Sequence, residues 1–315
     1  MTVLVTGASG FVGSALCARL LRDGGSVRAA VRSLNSQPGG AEAFAIRSLS
    51  SETDWTPALR NVEQVVHLAA RVHVMNDKSP DPLAEFRRVN VEGTVALARQ
   101  AAIAGVRRFV FLSSVKVNGE FTEAGHLFTE DDAPAPEDSY AVSKYEAEQL
   151  LRQIAAETGM EVVIIRPPLV YGPGVKANFE SMMRCLARGV PLPLAAVTNN
   201  RRSLVALDNL VGLIVTCLNH PAAANQTFLV SDGKDLSTAQ LLKRMGAAIG
   251  QPARLFYLPP TLLKLGASVL NRPGIYQRLC GSLQLDIAKT RQLLGWTPPV
   301  SVDEGLRRAA EGFRS

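Results

Sequence analysis

The sequence predicts an α/β protein built on a doubly wound parallel sheet, with a smaller α/β lobe in its C-terminal part. A short apolar run at residues 3–5 passes through closely spaced glycines into a stretch with helical spacing of apolar residues. Strand-like and helix-like stretches then alternate as far as residue 112, which is typical of parallel strands joined by right-handed crossovers. Ligands of such sheets bind beyond the carboxyl ends of the strands, so the residues there are the functional candidates.

Composition limits the classes of partner. The 315 residues include 34 basic and 28 acidic side chains, a net charge of +6 without a dense basic run, which disfavours nucleic acid and suits a small anionic substrate. The four cysteines are widely spaced, so we expect free thiols and no metal site. No apolar run is long enough to span a bilayer, and the first strand leaves no room for a signal peptide. We expect a cytoplasmic protein with no membrane partner.

The glycines after the first strand predict a dinucleotide site. Without Cβ atoms, this turn lets backbone N–H groups at a helix start approach a diphosphate, where the helix dipole favours negative charge. A tight turn without a ligand is the alternative, but the preceding strand and following helix favour binding. The residues assigned to the turn are Gly7, Ser9, Gly10, Phe11, Val12 and Gly13.

The cofactor's adenosine end is expected beside the second strand, at residues 27–31. NAD sites usually place a carboxylate at its end, but here Val31 is followed by Arg32 and Ser33. A cation and a hydroxyl suit a 2′-phosphate, so NADP(H) is favoured and NAD(H) is the alternative, although Arg32 could also be an exposed loop residue. The fourth strand, at 65–70, includes His67, interpreted as a packed residue. It ends with Leu68, Ala69 and Ala70, which are assigned to the cofactor.

Further elements follow from periodicity and turn residues. The first domain is expected at 1–170 with 204–233 folding back onto it, and the substrate lobe at 171–203 and 234–315. The other expected strands are near 45–49, 108–112 and 227–230, and the other expected helices begin near Asp54 and Asp208 or span 82–104, 140–157, 237–249, 260–270, 285–294 and 302–313.

A candidate catalytic pair opens the helix after a proline- and acid-rich loop at 119–139. Tyr140 and Lys144 are four residues apart, so they lie on one helix face. A nearby ammonium favours the phenolate, which would let Tyr140 exchange a proton with a substrate oxygen below the usual pKa of about 10. The fifth strand delivers Ser113 and Ser114 to the same sheet edge. A chance Tyr/Lys spacing is the alternative, but the serines and the glycine turn favour a catalytic site.

The order of these motifs resembles the extended short-chain dehydrogenase/reductase family, and within it the NAD-dependent epimerase/dehydratase family with its nucleotide-sugar 4-epimerase and 4-ketoreductase branch. The likeness rests on residues 6–13, Asn90, Ser114, Tyr140 with Lys144, and the stretch 166–174, Arg-Pro-Pro-Leu-Val-Tyr-Gly-Pro-Gly. It implies a Rossmann-like fold. It also implies that Ser114 bonds the sugar C4 oxygen, Tyr140 is the acid/base, Lys144 holds the ribose and Asn90 completes a tetrad.

The resemblance also assigns residues of the later chain. Pro167 and Val170 would contact the cofactor, Asn178 the substrate diphosphate and Arg202 the nucleotide, although the last two could be solvated loop residues. Lys116 would contact the substrate.

Three positions depart from the family pattern. Ser48 stands where an aspartate usually meets adenine, and Val31 where an acid meets the ribose. Lys116 replaces the usual threonine, or the acid of the dehydratases, which argues against a 4,6-dehydratase because that reaction needs a carboxylate.

Three functions remain open. The missing ribose carboxylate suits an exchangeable NADPH, so we favour a 4-ketoreductase that makes a UDP-6-deoxy-N-acetylhexosamine of the quinovosamine or fucosamine type for surface polysaccharide. A UDP-glucose or UDP-N-acetylglucosamine 4-epimerase with tightly bound NAD is the alternative, and a non-enzymatic dinucleotide sensor is a third. In the family two helices pair across a two-fold axis, so a homodimer with a four-helix interface is expected. The apolar residues assigned to that interface are Val91, Val95, Leu97, Ala98, Ala147, Leu150, Leu151 and Ile154.

Overall fold

A computed structural model describes residues 1–36, 38–72, 79–123, 125–269 and 273–314 of the chain. Its strands are β1 (Thr2–Thr6), β2 (Ser26–Val31), β3 (Glu42–Ala45), β4 (Gln64–His67), β5 (Arg108–Leu112), β6 (Glu161–Arg166), β7 (Leu169–Tyr171), β8 (Leu204–Ala206) and β9 (Thr227–Leu229). Its helices are α1 (Phe11–Arg22), α2 (Thr56–Leu59), α3 (Pro82–Phe86), α4 (Gly93–Ile103), α5 (Ser139–Thr158), α6 (Ala177–Ala187), α7 (Leu207–Asn219), α8 (Thr238–Ile249), α9 (Pro260–Val269), α10 (Pro273–Cys280), α11 (Ala288–Leu294) and α12 (Val302–Arg314).

The main sheet has seven parallel strands in the order β3-β2-β1-β4-β5-β6-β9, and β7 pairs with β8 in a separate two-stranded sheet. In the register of the main sheet, Val5 lies between Ala29 of β2 and Val66 of β4. The order reverses between β1 and β4, because β2 and β3 lie on one side of β1 and the later strands on the other. This arrangement confirms the predicted doubly wound α/β fold and places its crevice at the ends of β1 and β4.

Apolar side chains cover both faces of the sheet, which explains why its strands are almost continuously apolar. One buried cluster joins the sheet to α1 through Leu16 and to α7 through Ile214. A second joins the other face to α4 through Leu97 and to α5 through Leu151. A third, around Tyr171, belongs to the later part of the chain and includes residues of α6, α8 and α12.

Part of the segment 204–233 contacts the main sheet, while β8 pairs with β7 in the separate sheet. Strand β9 pairs with β6, and α7 packs against α1. The buried guanidinium of Arg108 donates hydrogen bonds to the carbonyl oxygens of Cys217, Leu218 and His220 at the end of α7. These bonds fix α7 to the strand that leads to Ser114.

Several elements differ from the expected ones. Strand β3 lies at Glu42–Ala45 instead of 45–49, and the helix expected at 82–104 is divided by a π-helical segment, Arg87–Glu92. The expected helix 260–270 ends at Leu270, which is outside the described residues. Strands β6, β7 and β8 and helices α6 and α10 were not expected. Within the described ranges, no helix combines the length and apolarity needed to cross a membrane.

Candidate active site

The glycine turn between β1 and α1 is shaped for a close ligand approach. Gly7 has a φ of +67°, and a Cβ built there would lie 2.8 Å from the backbone nitrogen of Ala69, after β4. A Cβ on Gly13 would overlap the carbonyl oxygen of Gly7. The turn can therefore pack directly on the loop after β4. Gly10 caps α1 and is exposed with Ser9, and the first helical turn carries no acidic residue, so an anion can reach its N–H groups.

The other assigned cofactor residues lie along the same crevice edge. Leu68, Ala69 and Ala70 are half-buried after β4, and the Thr6 hydroxyl accepts hydrogen bonds from the first two backbone N–H groups at 3.2 Å. Pro167 is buried after β6, and its carbonyl oxygen accepts a hydrogen bond from the backbone of Val115, while Val170 is half-buried in β7. Arg32, Ser33 and Ser48 are exposed at the other end of the crevice. Together these residues fit a dinucleotide.

Lys144 is held at the end of β5. Its Nζ donates a hydrogen bond of 2.8 Å to the carbonyl oxygen of Leu112, and it lies 4.4 Å from the centre of the Phe111 ring and 6.0 Å from the centre of the Tyr140 ring. This contact docks the second turn of α5 onto the end of β5, two residues before Ser114, which forms the cap of a short 3-10 turn. Burial lowers the pKa of Lys144 to about 7, although the Glu148 carboxylate acts in the opposite direction.

Tyr140 is half-buried in the first turn of α5 and packs edge-on against Phe86, with ring centres 6.2 Å apart. Burial, and then the Asp138 carboxylate, raise the pKa of its phenol. The expected lowering of this pKa by Lys144 is therefore wrong, because burial and the Asp138 carboxylate determine the shift. A positive charge that enters the crevice would shift the pKa downward.

Asn90 joins α5 to the loop after β4. Its side chain accepts a hydrogen bond from the backbone N–H of Arg71 at 2.7 Å and donates to the Arg71 carbonyl oxygen and to the Ser143 hydroxyl, both at 3.0 Å. Asn90 lies in the π-helical segment, where one extra residue per turn redirects a side chain. It thus positions α5 through the turn that contains Ser143.

His67 is fully buried one residue before Leu68. Its two ring nitrogens lie 2.7 Å from the Thr6 hydroxyl and 2.9 Å from the Thr94 hydroxyl. Burial, and secondly the charge of Lys144, lower its pKa to about 3. A neutral histidine between two hydroxyls has a packing role, as the sequence interpretation expected.

A buried ionic network below the catalytic pair was missed by the sequence analysis. Glu148 accepts hydrogen bonds from Arg166 at 2.9 and 2.6 Å and from the Ser113 hydroxyl at 2.5 Å. Arg166 also donates to the side chain of Asn118. Glu148 follows Lys144 by four residues, so the helical spacing could have indicated its position, but its partner on β6 could not be identified from spacing alone.

Lys116 connects the Ser114 turn to the beginning of α5. Its ammonium donates to Glu120 at 2.6 Å and to Asp138, the cap of α5, at 2.7 Å. Burial lowers its pKa, but the two carboxylates outweigh burial and the net shift is upward. The assigned substrate residue is therefore already paired with two acids that the sequence analysis did not single out.

Two residues of the later chain were also assigned to the substrate. Arg202 donates to the carbonyl oxygen of Gly281 at 3.2 Å; burial lowers its pKa, while the Glu120 charge opposes this. The Glu120 carboxylate therefore interacts electrostatically with Arg202 and is also hydrogen-bonded to Lys116. Asn178 is exposed in the first turn of α6, after Ala177, whose φ of +60° is unusual for a residue with a Cβ.

Comparisons with known proteins agree with this geometry. Residues 3–231 match the model of the NAD dependent epimerase/dehydratase family. A Vibrio cholerae protein named UDP-glucose 4-epimerase is 48% identical over 314 residues, which cover 99% of this chain and 95% of the relative.

Two crystal structures of UDP-glucose 4-epimerases are similar over 100% of this chain and 99% of their own, each with a TM-score of 0.80 and 25% identity. One is the Thermotoga maritima enzyme with UDP-glucose, and the other is the Thermus thermophilus enzyme in complex with NAD. The matched region includes the glycine turn, Ser114, Tyr140 and Lys144, and so the chain belongs to the NAD-dependent epimerase/dehydratase family.

Proposed function

We propose that this enzyme interconverts the C4 epimers of a UDP-hexose, beginning with UDP-glucose and UDP-galactose, and retains NAD through turnover. The observation that carries the proposal is the 48% identity to the Vibrio cholerae UDP-glucose 4-epimerase over nearly the full length of both chains. The 4-ketoreductase favoured by the sequence analysis has no comparable support among the relatives. The epimerase alternative is therefore better supported.

The oxidation and the reduction at C4 each transfer one proton and one hydride. NAD, when bound, supplies the hydride acceptor for oxidation at C4 and the donor for the reduction that follows. Tyr140 takes the proton of the C4 hydroxyl during oxidation. It returns that proton to the C4 oxygen during reduction, when the hydride is added to the opposite face of the sugar. Ser114 would bond the C4 oxygen, and Lys144 would hold the ribose.

The cofactor proposal changes from NADP(H) to NAD. The family match and the NAD-bound relative support NAD, and neither supports a preference for NADP. Because no carboxylate follows Val31, a 2′-phosphate would not be repelled there. The lack of repulsion does not by itself create affinity for that phosphate. The exposed Ser33 hydroxyl and Arg32 guanidinium could equally bond ribose hydroxyls.

We propose that Arg202 and Asn178 meet the nucleotide diphosphate, since a guanidinium suits phosphate oxygens and an exposed amide at a helix start can donate to them. Lys116 lies between Ser114 and the cap of the Tyr140 helix, so it would border the sugar.

The test uses UDP-glucose labelled with deuterium at C4, mixed with purified enzyme and no added cofactor. We expect UDP-galactose that retains deuterium at C4, because the same hydride leaves and returns within one active site, and NAD in the denatured protein by mass spectrometry. Tyr140→Phe is the negative control. Failure to epimerise UDP-glucose even with added NAD, with NADPH-dependent reduction of a UDP-4-keto sugar instead, would show that the enzyme is a ketoreductase.

A further inference from the structure

The positive charge of the chain is concentrated in one segment of the second lobe. Residues 236–285 contain no aspartate or glutamate, whereas the rest of the chain has 28 basic and 28 acidic residues. The whole net charge of +6 therefore belongs to this segment. Its basic residues are Lys243, Arg244, Arg254, Lys264, Arg272 and Arg278.

The same segment exposes large apolar side chains. Phe256 and Tyr257, just before α9, are 48% and 73% exposed, and Leu262 and Leu265 of α9 are 51% and 59% exposed. These four are among the thirteen exposed large apolar residues found in the described part of the chain, and they fall within ten consecutive positions. Clustering of this kind marks an interaction surface, whereas single exposed apolar residues are ordinary.

Helix α9 has apolar residues on two sides, and among the residues that the structure describes only one of these sides is covered by the lobe. Leu263 is partly buried against the apolar cluster of the lobe. Leu262 and Leu265 are three residues apart, so they share a face, and both are exposed. Arg254, Lys264 and Arg278 are also exposed in this segment. The segment thus presents apolar side chains together with cations and without any anion.

The positive charge and the apolar side chains of this surface together determine which kind of partner suits it. A second copy related by a two-fold axis would bring the same positive surface against itself, which is repulsive. A nucleic acid would use the cations but would leave the leucines of α9 without an apolar partner. A bilayer with anionic lipids suits both the cations and the apolar side chains of this surface. Its phosphate groups meet the cations, and its interfacial acyl region accepts the apolar side chains.

We propose that the surface formed by Phe256, Tyr257, Leu262, Lys264 and Leu265 docks the enzyme onto an anionic lipid bilayer. Helix α9 lies in the interface plane, and Arg254 and Arg278 contact the headgroups. The expectation of no membrane partner came from the search for a spanning run, and a helix that lies on the surface needs no such run. The proposal does not depend on which nucleotide sugar the enzyme uses.

The experiment is co-sedimentation of the full-length protein with phosphatidylcholine vesicles, with or without about 30% phosphatidylglycerol. We expect at least about tenfold stronger partition onto the anionic vesicles, with a loss of binding at high salt. Leu262→Ser/Leu265→Ser and, separately, Arg254→Gln/Lys264→Gln should each lower that partition about tenfold while NAD content and activity stay unchanged.

Two matched variants serve as controls. Leu293→Ser removes an exposed leucine of α11, and Arg22→Gln removes an exposed cation of α1, and both should bind vesicles as the wild type does. Equal partition onto neutral and anionic vesicles, no partition onto either, or unchanged partition of both double variants overturns the proposal. A change in sedimentation mass of the leucine variant without a change in vesicle binding overturns it in favour of a second copy.

Discussion

At the scale of single residues, the phenol oxygen of Tyr140 is the group on which the proposed chemistry depends. Tyr140→Phe should lower kcat by about two to four powers of ten, the usual size of a general acid–base contribution. The NAD content of the purified protein should stay near that of the wild type, because only one oxygen is lost. Steady-state kinetics and mass spectrometry of the released cofactor measure the two effects.

Tyr145→Phe is the matched control, since Tyr145 lies on the same helix and is also half-buried. It should leave kcat within about threefold of the wild type, as expected when no proton transfer is lost. A Tyr140→Phe enzyme that keeps more than about a tenth of the activity would remove Tyr140 from the acid–base role.

His67 gives a second prediction at this scale. Its folded-state pKa of about 3 lies below the ordinary value of 6.5, so the unfolded chain binds the proton more readily. The stability from neutral His67 is fully present above pH 6.5 and is lost as the pH falls toward 3, with a slope of at most about 1.4 kcal/mol per pH unit.

Urea unfolding between pH 7 and 5 measures this dependence. His67→Gln should be less stable than the wild type at pH 7 but should lose less stability on acidification, because glutamine does not titrate. Parallel curves for the two proteins would assign the acid sensitivity to other groups.

The sequence was informative about site residues where one local motif contains the chemistry. Gly7, Tyr140 and Lys144 could be proposed as site residues because a turn or one helix face fixes their spacing. Glu148 could not be assigned, since its partner Arg166 comes from a different element and only the fold brings them together. The direction of the Tyr140 pKa shift was likewise inaccessible, because burial and Asp138 determine it.

At the scale of elements, the Glu148–Arg166 pair holds α5 to β6. Both side chains are buried, so Arg166→Met leaves a carboxylate without its main partner and should lower the free energy of unfolding by about 3 to 5 kcal/mol. Replacing both residues, as Arg166→Met/Glu148→Leu, should recover much of that loss because no buried charge remains. Urea denaturation measures both.

The control is Arg307→Met on α12, where the guanidinium pairs with Glu304 and Glu311 in solvent. Exposed pairs of this kind contribute at most about 1 kcal/mol. If Arg166→Met is no less stable than Arg307→Met, the buried pair does not hold α5 in place.

Among the elements that the sequence placed wrongly, β3 and the π-helical segment show what local patterns do not encode. Strand β3 is an edge strand of the sheet, and its position follows from pairing Glu42–Ala45 with β2, which no local alternation specifies. The π-helical segment inserts a residue into an otherwise regular helical pattern, so periodicity predicted one continuous helix. The alternation of strands and helices survived both errors, which is why the fold class was predicted correctly.

At the scale of the whole molecule, the homodimer stays a prediction. Most of the apolar residues assigned to its four-helix interface are used inside the chain: Leu97, Ala98, Ala147, Leu151 and Ile154 are buried in one cluster. Val95 and Leu150 remain half-buried on α4 and α5. Sedimentation equilibrium should give twice the chain mass of 33.8 kDa, and Leu150→Asp should shift it toward the monomer. A wild-type mass of one chain at micromolar concentration would contradict the dimer.

The hydrogen bonds from Arg108 to the end of α7 predict how a shortened gene for this protein would behave. The chain leaves the main sheet after β6 and returns to it in β9, so the sheet is built from two separate stretches of the chain. A stop codon shortly after residue 170 would remove the carbonyl partners of Arg108 and of the buried Gln64 amide. It would also uncover the β6 edge of the sheet. Such an allele should therefore behave as a complete null.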